Sequence, residues 1–380
     1  MLNLPVYVGL DYHTHTIQVF VMDQQRKILT NQSVGNDPAA VFRVVAPFGP
    51  NVHAAIEAST GVADFAERLI ARYRWQVFLA HPGYVSRMKQ TPDKSDWTDA
   101  KLLADLTRAG YIPRVWLAPK YIRELRELVR YRHGLVEQRT QAKLRLRANL
   151  RHHRINCPHS PWTIPWKKWL SDKKNISSST LQFLLQEHFD TIEYFDKKIA
   201  TATERMTTHV ADDAVVKKLL QQPGIGIITA ITLRAMIGHF NRFRTSKQLA
   251  HFCAVCPRND STGGKTTTGG LIKAGDEILR QVLIEAAHRL RRYDPHWQEM
   301  SKRLQEKGKK TCVIIAAIAN RWIRKLFHEM QEPTQKRETT PTSDVRFLRH
   351  GQESTLTNIP ADAKTKGLET SEGTVHNVLP

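Results

Sequence analysis

Four carboxylates stand out by position in an otherwise basic chain. Asp11 closes the apolar run VYVGL, Glu57 ends VHAAIE, and Asp96 and Asp99 lie three residues apart in KSDWTDAKLLA. Acids at i and i+3 share one face of a helix. A hard divalent cation takes oxygen ligands at about 2.0 to 2.6 Å, and two cations about 4 Å apart need several carboxylates between them. Such a site polarises a phosphate and stabilises charge on the entering and leaving oxygens of a strand-cleavage reaction, so the quartet suits two Mg2+ ions. Each acid also has a plainer reading. Asp11 reads alone as a turn residue, and Asp96 as an N-cap with Asp99 in the first helical turn, stabilising free amides and the helix dipole. Chemistry is favoured by convergence: one acid on a first strand, one ending a later strand, and two on a closing helix.

For these acids to meet, residues 1–116 must fold as a sheet covered by helices. VYVGLD, TIQVFVMD and KILTNQSV predict three strands in an antiparallel meander, and VHAAIE and WQVFLA predict two more. Helices are expected at Pro38 to Val45, at Val62 to Arg72, and from near Ser95 to a stop at Gly110 with Pro113 beyond. Mixed strand and helix periods of this kind describe an α/β domain.

Residues 117–211 change character. From Lys120 to His153 only Gly134 interrupts a helical pattern, which predicts a helix about 50 Å long if unbroken. Arg123, Arg126, Arg130, Arg139, Lys143 and Arg147 belong to its excess of cations over acids, and phosphate neutralisation is the usual reason to concentrate like charge. A solvated helix face is the alternative. Trp162, Trp166 and Trp169 follow, beside Lys167 and Lys168, as rings to stack on unpaired bases or to cover a helix end. Leu185, Ile192, Ile199 and Met206 then recur at sevens, predicting a coiled-coil seam within or between chains.

Residues 212–331 read as a compact, mostly α-helical domain, and 332–380 as a disordered tail. PGIG, with Gly224 and Gly226, reads as a helix-hairpin-helix-like turn presenting amides to a phosphate, or as a tight turn between packed helices. Lys265 and Lys273 would hold nucleic acid near a Gly-rich loop, PRNDSTGGK, in which Ser261 alone reads as a turn residue. Cys253 and Cys256 form a lone C-x-x-C, without the second pair a structural zinc site requires.

Composition bounds the rest. The 380 residues carry 57 Lys and Arg against 36 Asp and Glu, a net charge of +21, so an anionic polymer is the expected partner. No stretch approaches the roughly 18 apolar residues of a membrane span, and the start MLNLPVYVGLDYH lacks the pattern of a secretory signal. The expected compartment is the cytoplasm, with the protein at the nucleoid of a bacterial or archaeal cell.

VGLD at Asp11, IEASTG at Glu57 and KSDWTDAKLLA at Asp96 and Asp99 resemble the acidic motifs of the DEDD insertion-sequence transposases, whose relatives include pilin-gene invertases. QQPGIGIITAITL and QLAHFCAVCPRNDSTGGKTTTGGLIKAGDEILRQVLIEAAH are similar to that family's second domain. The resemblance implies a ribonuclease-H-like (RuvC-like) catalytic domain and a transposase domain carrying a covalent serine. That serine, bearing a 5′-phosphoseryl DNA intermediate, falls on Ser261; some members have it directly before the first glycine, where Thr262 stands here. Also implied are a homo-oligomer, dimer or tetramer, that unites serine and acids from different protomers, and a structured guide RNA pairing with donor and target DNA. Two rival functions fit the residues: a junction resolvase or nuclease using water, and a non-catalytic basic scaffold.

Overall fold

The computed structural model describes residues 4–89, 95–172, 174–259 and 268–331. Three strands, β1 (Val6–Tyr12), β2 (Thr16–Met22) and β3 (Ile28–Gly35), form the antiparallel meander expected from their apolar alternation. Helix α1 (Pro38–Val45) starts at Asp37, whose carboxylate accepts from the amides of Ala39 and Ala40, with proline in the first turn where its missing N–H costs nothing. Then come β4 (Val52–Glu57), α2 (Val62–Tyr73), β5 (Gln76–Ala80), the single turn α3 (Pro82–Val85), α4 (Asp96–Arg108) and the two-residue β6 (Arg114–Val115). The strands make one mixed sheet in the order β3-β2-β1-β4-β5-β6, with β4 parallel to both β1 and β5. A mixed sheet with helices is consistent with a ribonuclease-H-like domain.

The two faces of the sheet are set by residue parity. Val6, Val8 and Leu10 of β1, Ile17, Val19 and Val21 of β2, and Ala54 and Ile56 of β4 pack with α1 and α2. The opposite face belongs to α4, whose Ala100 and Ala104 meet Phe20 and Met22, and whose Leu103 meets Ala55 and Ala80. Contact there is unusually close. A Cβ on Gly9 would lie 1.8 Å from the Ala100 carbonyl oxygen and 2.8 Å from the Ala104 nitrogen. Only a residue without a side chain lets the helix backbone rest directly on β1.

Beyond the sheet come α5 (Lys120–His152), α6 (Ile164–Ser171) and α7 (Ser179–His209). Gly134 does not break α5. Arg132 donates to Thr203 and Arg139 to Asp196, while Asn149 meets His188, so α5 and α7 pack antiparallel within one chain. Leu185, Ile192, Ile199 and Met206 are the buried seam residues of α7. Trp166 is 2% exposed and packs with Leu146, Leu150 and Leu181, so this ring covers the helix pair.

The last described region holds α8 (Ala214–Leu220), α9 (Ile227–Ile237), α10 (Ser246–Phe252), a small pair β7 (Pro257–Asn259) and β8 (Thr268–Leu271), then α11 (Glu277–Tyr293), α12 (Pro295–Glu306) and α13 (Thr311–Met330). The hairpin is an addition to the expected mostly helical region. Leu125 and Val129 of α5 belong to this core, tying the long helix to it. Asp213 caps α8 and accepts from the Arg234 guanidinium at 2.6 Å and from the Tyr121 hydroxyl at 3.1 Å. Burial pushes the Asp213 carboxyl up, but the Arg234 hydrogen bond and charge outweigh it and hold it below the usual range. Burial beside Asp213 raises the Tyr121 phenol to about 12, so it stays a donor. Removing either member of the Asp213–Arg234 pair would strand a buried charge, at a cost of about 3–5 kcal/mol.

Gly9→Ala is expected to lower stability by about 2–3 kcal/mol, because neither backbone can yield without moving the helix. Gly35→Ala, whose Cβ would meet nothing within 4 Å, is expected to stay within about 1 kcal/mol. Urea midpoints of the two variants check this, and equal midpoints would show that α4 does not rest on β1.

Candidate active site

Register and parity set Asp11 and Glu57 on one face of the sheet, and α4 brings Asp96 and Asp99 toward Asp11. Asp11 has the parity of Gly9, so its side chain lies on the α4 face of the sheet. The parallel ladder between β1 and β4 pairs Leu10 with Ile56, and the next step along both strands is Asp11 beside Glu57. Glu57 has the parity of Ala55, which also faces α4. Both acids thus stand at the carboxyl ends of neighbouring parallel strands.

Helix α4 supplies the other two. Ser95 is its N-cap and forms a reciprocal capping box with Thr98, so the plainer alternative, Asp96 as the N-cap, is corrected. The Ser95 hydroxyl already takes the Thr98 amide at 3.2 Å, which places Asp96 one residue inside the helix and frees its carboxylate from capping. Asp96 and Asp99 both fall in the first turn, where the amide end of the helix favours negative charge.

Burial pushes the Asp11 carboxyl up; His13 opposes this, while the negative charges of Asp96 and Asp99 add to it. The Asp11 carboxylate is 18% exposed and lies 3.2 Å from the His13 imidazole, whose Nε2 is also 3.4 Å from Asp96. Asp99, 16% exposed, is held by the Lys89 ammonium at 2.6 Å. Acids gathered at a partly buried edge, with a lysine and an imidazole as their nearest partners, form an arrangement that gains from a divalent ion. Ligand atoms of Asp11, His13 and Asp96 lie within 4.8 Å of one another, close enough to share one ion. The residues present therefore fit a metal.

His13 and Lys89 were missed by a reading that weighed only carboxylates. His13 had a signal, an imidazole two residues past Asp11 at the turn between β1 and β2. Lys89 had none, since its approach to Asp99 depends on how the chain returns from β5 to α4.

The other predicted site residues divide. Arg123 donates to Glu67 at 2.6 Å and to Asp64 at 2.5 Å, fastening α5 to α2. Arg126 donates to the Ala235 carbonyl at 2.7 Å, at the C-terminal end of α9, and Arg139 pairs with Asp196. These three guanidiniums serve the protein's own packing. Arg130 is 60% exposed and only 3.5 Å from Asp276, Lys143 lies over the Trp162 ring, and Arg147 and Lys273 are exposed. Gly224 has φ +76 and packs against Leu290, while Gly226 precedes α9, which has no side-chain cap. Cys253 is fully buried and Cys256 meets Asn320, as small packed residues do. Ser261, Thr262 and Lys265 lie outside the described residues, in the segment joining β7 to β8.

Comparison with known proteins agrees with this layout. The DEDD transposase model of IS110 elements matches residues 8–155, which span the sheet, all four acids and α5. The Transposase IS116/IS110/IS902 family model matches residues 216–302, around the serine segment. The chain is 26% identical over 325 residues to the transposase for insertion sequence element IS1328 of Yersinia enterocolitica, covering 83% of this chain and 94% of that one. It is 27% identical to the putative transposase y4qE of Sinorhizobium fredii, over 66% of this chain and 68% of the relative. A shorter match, 38% identical over 104 residues, covers 27% of this chain and 31% of a probable family 20 transposase of Pseudomonas aeruginosa. The two family models, matched in order along the chain, together with the transposase relatives, show that the chain belongs to the DEDD-type insertion-sequence transposases and is a DNA transposase.

Proposed function

We propose that the protein cleaves and rejoins the strands of an insertion sequence through Asp11, Glu57, Asp96 and Asp99 as metal ligands and Ser261 as nucleophile. The observation that carries this reading is the meeting of Asp11 with Asp96 and Asp99 on one face of the sheet, held by His13 and Lys89. Bound Mg2+, probed as two ions per site, would neutralise the phosphate and stabilise charge on the entering and leaving oxygens. The carboxylates orient the scissile phosphate by fixing where that charge is met. The Ser261 oxygen attacks phosphorus, the bond to the 3′ oxygen breaks, the serine proton passes to a base and the departing 3′ oxygen takes up a proton. A 5′-phosphoseryl link conserves the bond energy, so a 3′-hydroxyl from another strand can reverse the step and join the ends.

Within this reading Ser261 reaches the acids in a homo-oligomer, and a structured RNA pairs with donor and target DNA in the cytoplasm. Exposed Arg130, Arg147 and Lys273 are proposed phosphate contacts, with the PGIG amides at Gly224 and Gly226 as another; Lys265 would act beside the serine. The packed helices α5 and α7 would set subunit spacing as a coiled coil. No helix of the described residues is long and apolar enough to cross a membrane.

A nicked suicide DNA substrate is expected to trap a covalent adduct that Ser261→Ala abolishes and that Asp11→Ala reduces roughly 1,000-fold or more. Intact cleavage by Ser261→Ala with no covalent adduct would instead establish water as the nucleophile, the resolvase reading, whereas an adduct that persists in Ser261→Ala and is lost in Thr262→Ala would move the role to Thr262. Asp11 also gives the site a pH dependence. A carboxyl raised in the folded state costs stability while ionised, and that cost disappears as pH falls through its folded pKa. Asp11→Asn is therefore expected to raise the melting temperature at neutral pH without divalent ions and to lose the further rise that Mn2+ gives the wild type. In the wild type that Mn2+-dependent rise should shrink as pH falls, and a pH-independent rise would count against Asp11 as a ligand.

A further inference from the structure

A second polar cavity lies far along the chain from the acids, where α5, α6 and α7 meet. Its volume is about 390 Å³, within the range of small-ligand sites. Lys143 of α5, Trp162, Lys167 of α6, and Gln186 and Phe189 of α7 contribute to its lining. We propose that this cavity receives an unpaired nucleotide, its base on the Trp162 ring and its phosphate against Lys143 and Lys167.

Trp162 is the first support. Its φ of +69 is a conformation that bulky residues seldom adopt, and such strain is kept where the surroundings hold a side chain to a task. Unlike Trp166 beside it, at 4.8 Å between centroids and 53° between planes, it is only partly buried and lines open volume. A tilted neighbour backs the ring without stacking over it.

Charge is the second. Lys143 places its ammonium 5.0 Å from the Trp162 centroid. Burial pushes this lysine down, Arg139 adds to the effect, the Asp196 carboxylate opposes it, and Lys167 adds a little more. Among the described residues neither Lys143 nor Lys167 forms an ion pair. The cavity also contains Glu193 and Asp196, but each is matched by a cation outside the lining: Lys197 at 2.7 Å and Arg139 at 2.7 Å. Two cations without an ion pair beside an aromatic ring, their nearest acids already engaged by Arg139 and Lys197, match what a nucleotide offers in one phosphate and one π surface. A paired duplex would keep its bases out of reach, so the ligand is a bulged, flipped or single-stranded nucleotide. RNA and single-stranded DNA offer the same chemistry.

The reading is independent of strand cleavage and is tested by binding alone. Short hairpins with one unpaired 2-aminopurine, made as RNA and as DNA, are compared with hairpins abasic at that position, using the full-length protein. At least one of the two unpaired-base hairpins should bind about ten-fold more tightly than its abasic partner and lose fluorescence on binding, as a base stacked on indole would. The better arm identifies the source. Trp162→Ala should remove both the preference and the quenching. Lys143→Gln, which leaves the ring in place, should keep the quenching but weaken binding and reduce its salt dependence by about one ion. Photocrosslinking of unpaired 5-bromouridine to the wild type should map to Trp162, so the test does not rest on a folded Trp162→Ala protein. Equal affinity for unpaired and abasic hairpins in both arms, or crosslinks only outside the cavity, would overturn the proposal.

Discussion

The approach of α4 to β1 across Gly9 is the contact on which the acidic site depends. The Ala100 carbonyl occupies space that any side chain at position 9 would need, so the helix backbone touches the strand backbone. Two residues further along β1 is Asp11, and back along α4 from Ala100 come Asp99, one residue away, and Asp96, about one turn away. Their meeting is therefore a backbone result, set before any side chain adjusts. Parallel pairing of β1 with β4 adds Glu57 at the same level. Burying Asp11 here raises its carboxyl, the nearby Asp96 and Asp99 add to that, and His13 opposes it, while Lys89 answers the charge of Asp99. A partly buried carboxylate beside other acids is suited to gain when a cation enters.

The sheet is not left to move independently of the helical region that follows. Trp116, between β6 and α5, packs against Gly238, which has φ +68 and leaves room for the indole. Arg242 covers the same ring at 4.6 Å and donates to Ile237, while Arg126 lies 5.4 Å from it and donates to Ala235. Both arginines thus close carbonyls at the C-terminal end of α9, where positive charge is favoured. Burial lowers Arg126 to about 10 and Arg242 to about 9, which still leaves both cationic at neutral pH. Part of the chain's high positive charge is structural, and it links the acid-bearing sheet to the region that carries the serine segment.

Much of this was legible because it follows from local periodicity. Alternation in VYVGLD and TIQVFVMD gave the meander, the helical pattern from Pro38 to Val45 matched α1, and the heptad positions from Leu185 to Met206 marked the buried seam of α7. The three-residue spacing of Asp96 and Asp99 placed them on one helical face. Spacing did not distinguish Ser95 from Asp96 as a cap, because both side chains can accept the same amides. Nor does charge report burial: Arg126 and Arg130 are four residues apart on one helix, yet one guanidinium is buried at α9 and the other is exposed. Lys89 was illegible for a different reason, since a long-range approach leaves no periodic trace. The hairpin of β7 and β8 escaped because short strands rich in glycine and proline carry little β signal.

Anomalous diffraction from Mn2+-soaked crystals of the full-length protein tests the central claim most directly. Density is expected between Asp11 and the first turn of α4, within ligand distance of Asp11 and of Asp96 or Asp99, with the Lys89 ammonium displaced from Asp99. Manganese bound only at other positions, with Asp11 still paired to His13 and Asp99 still paired to Lys89, would contradict it.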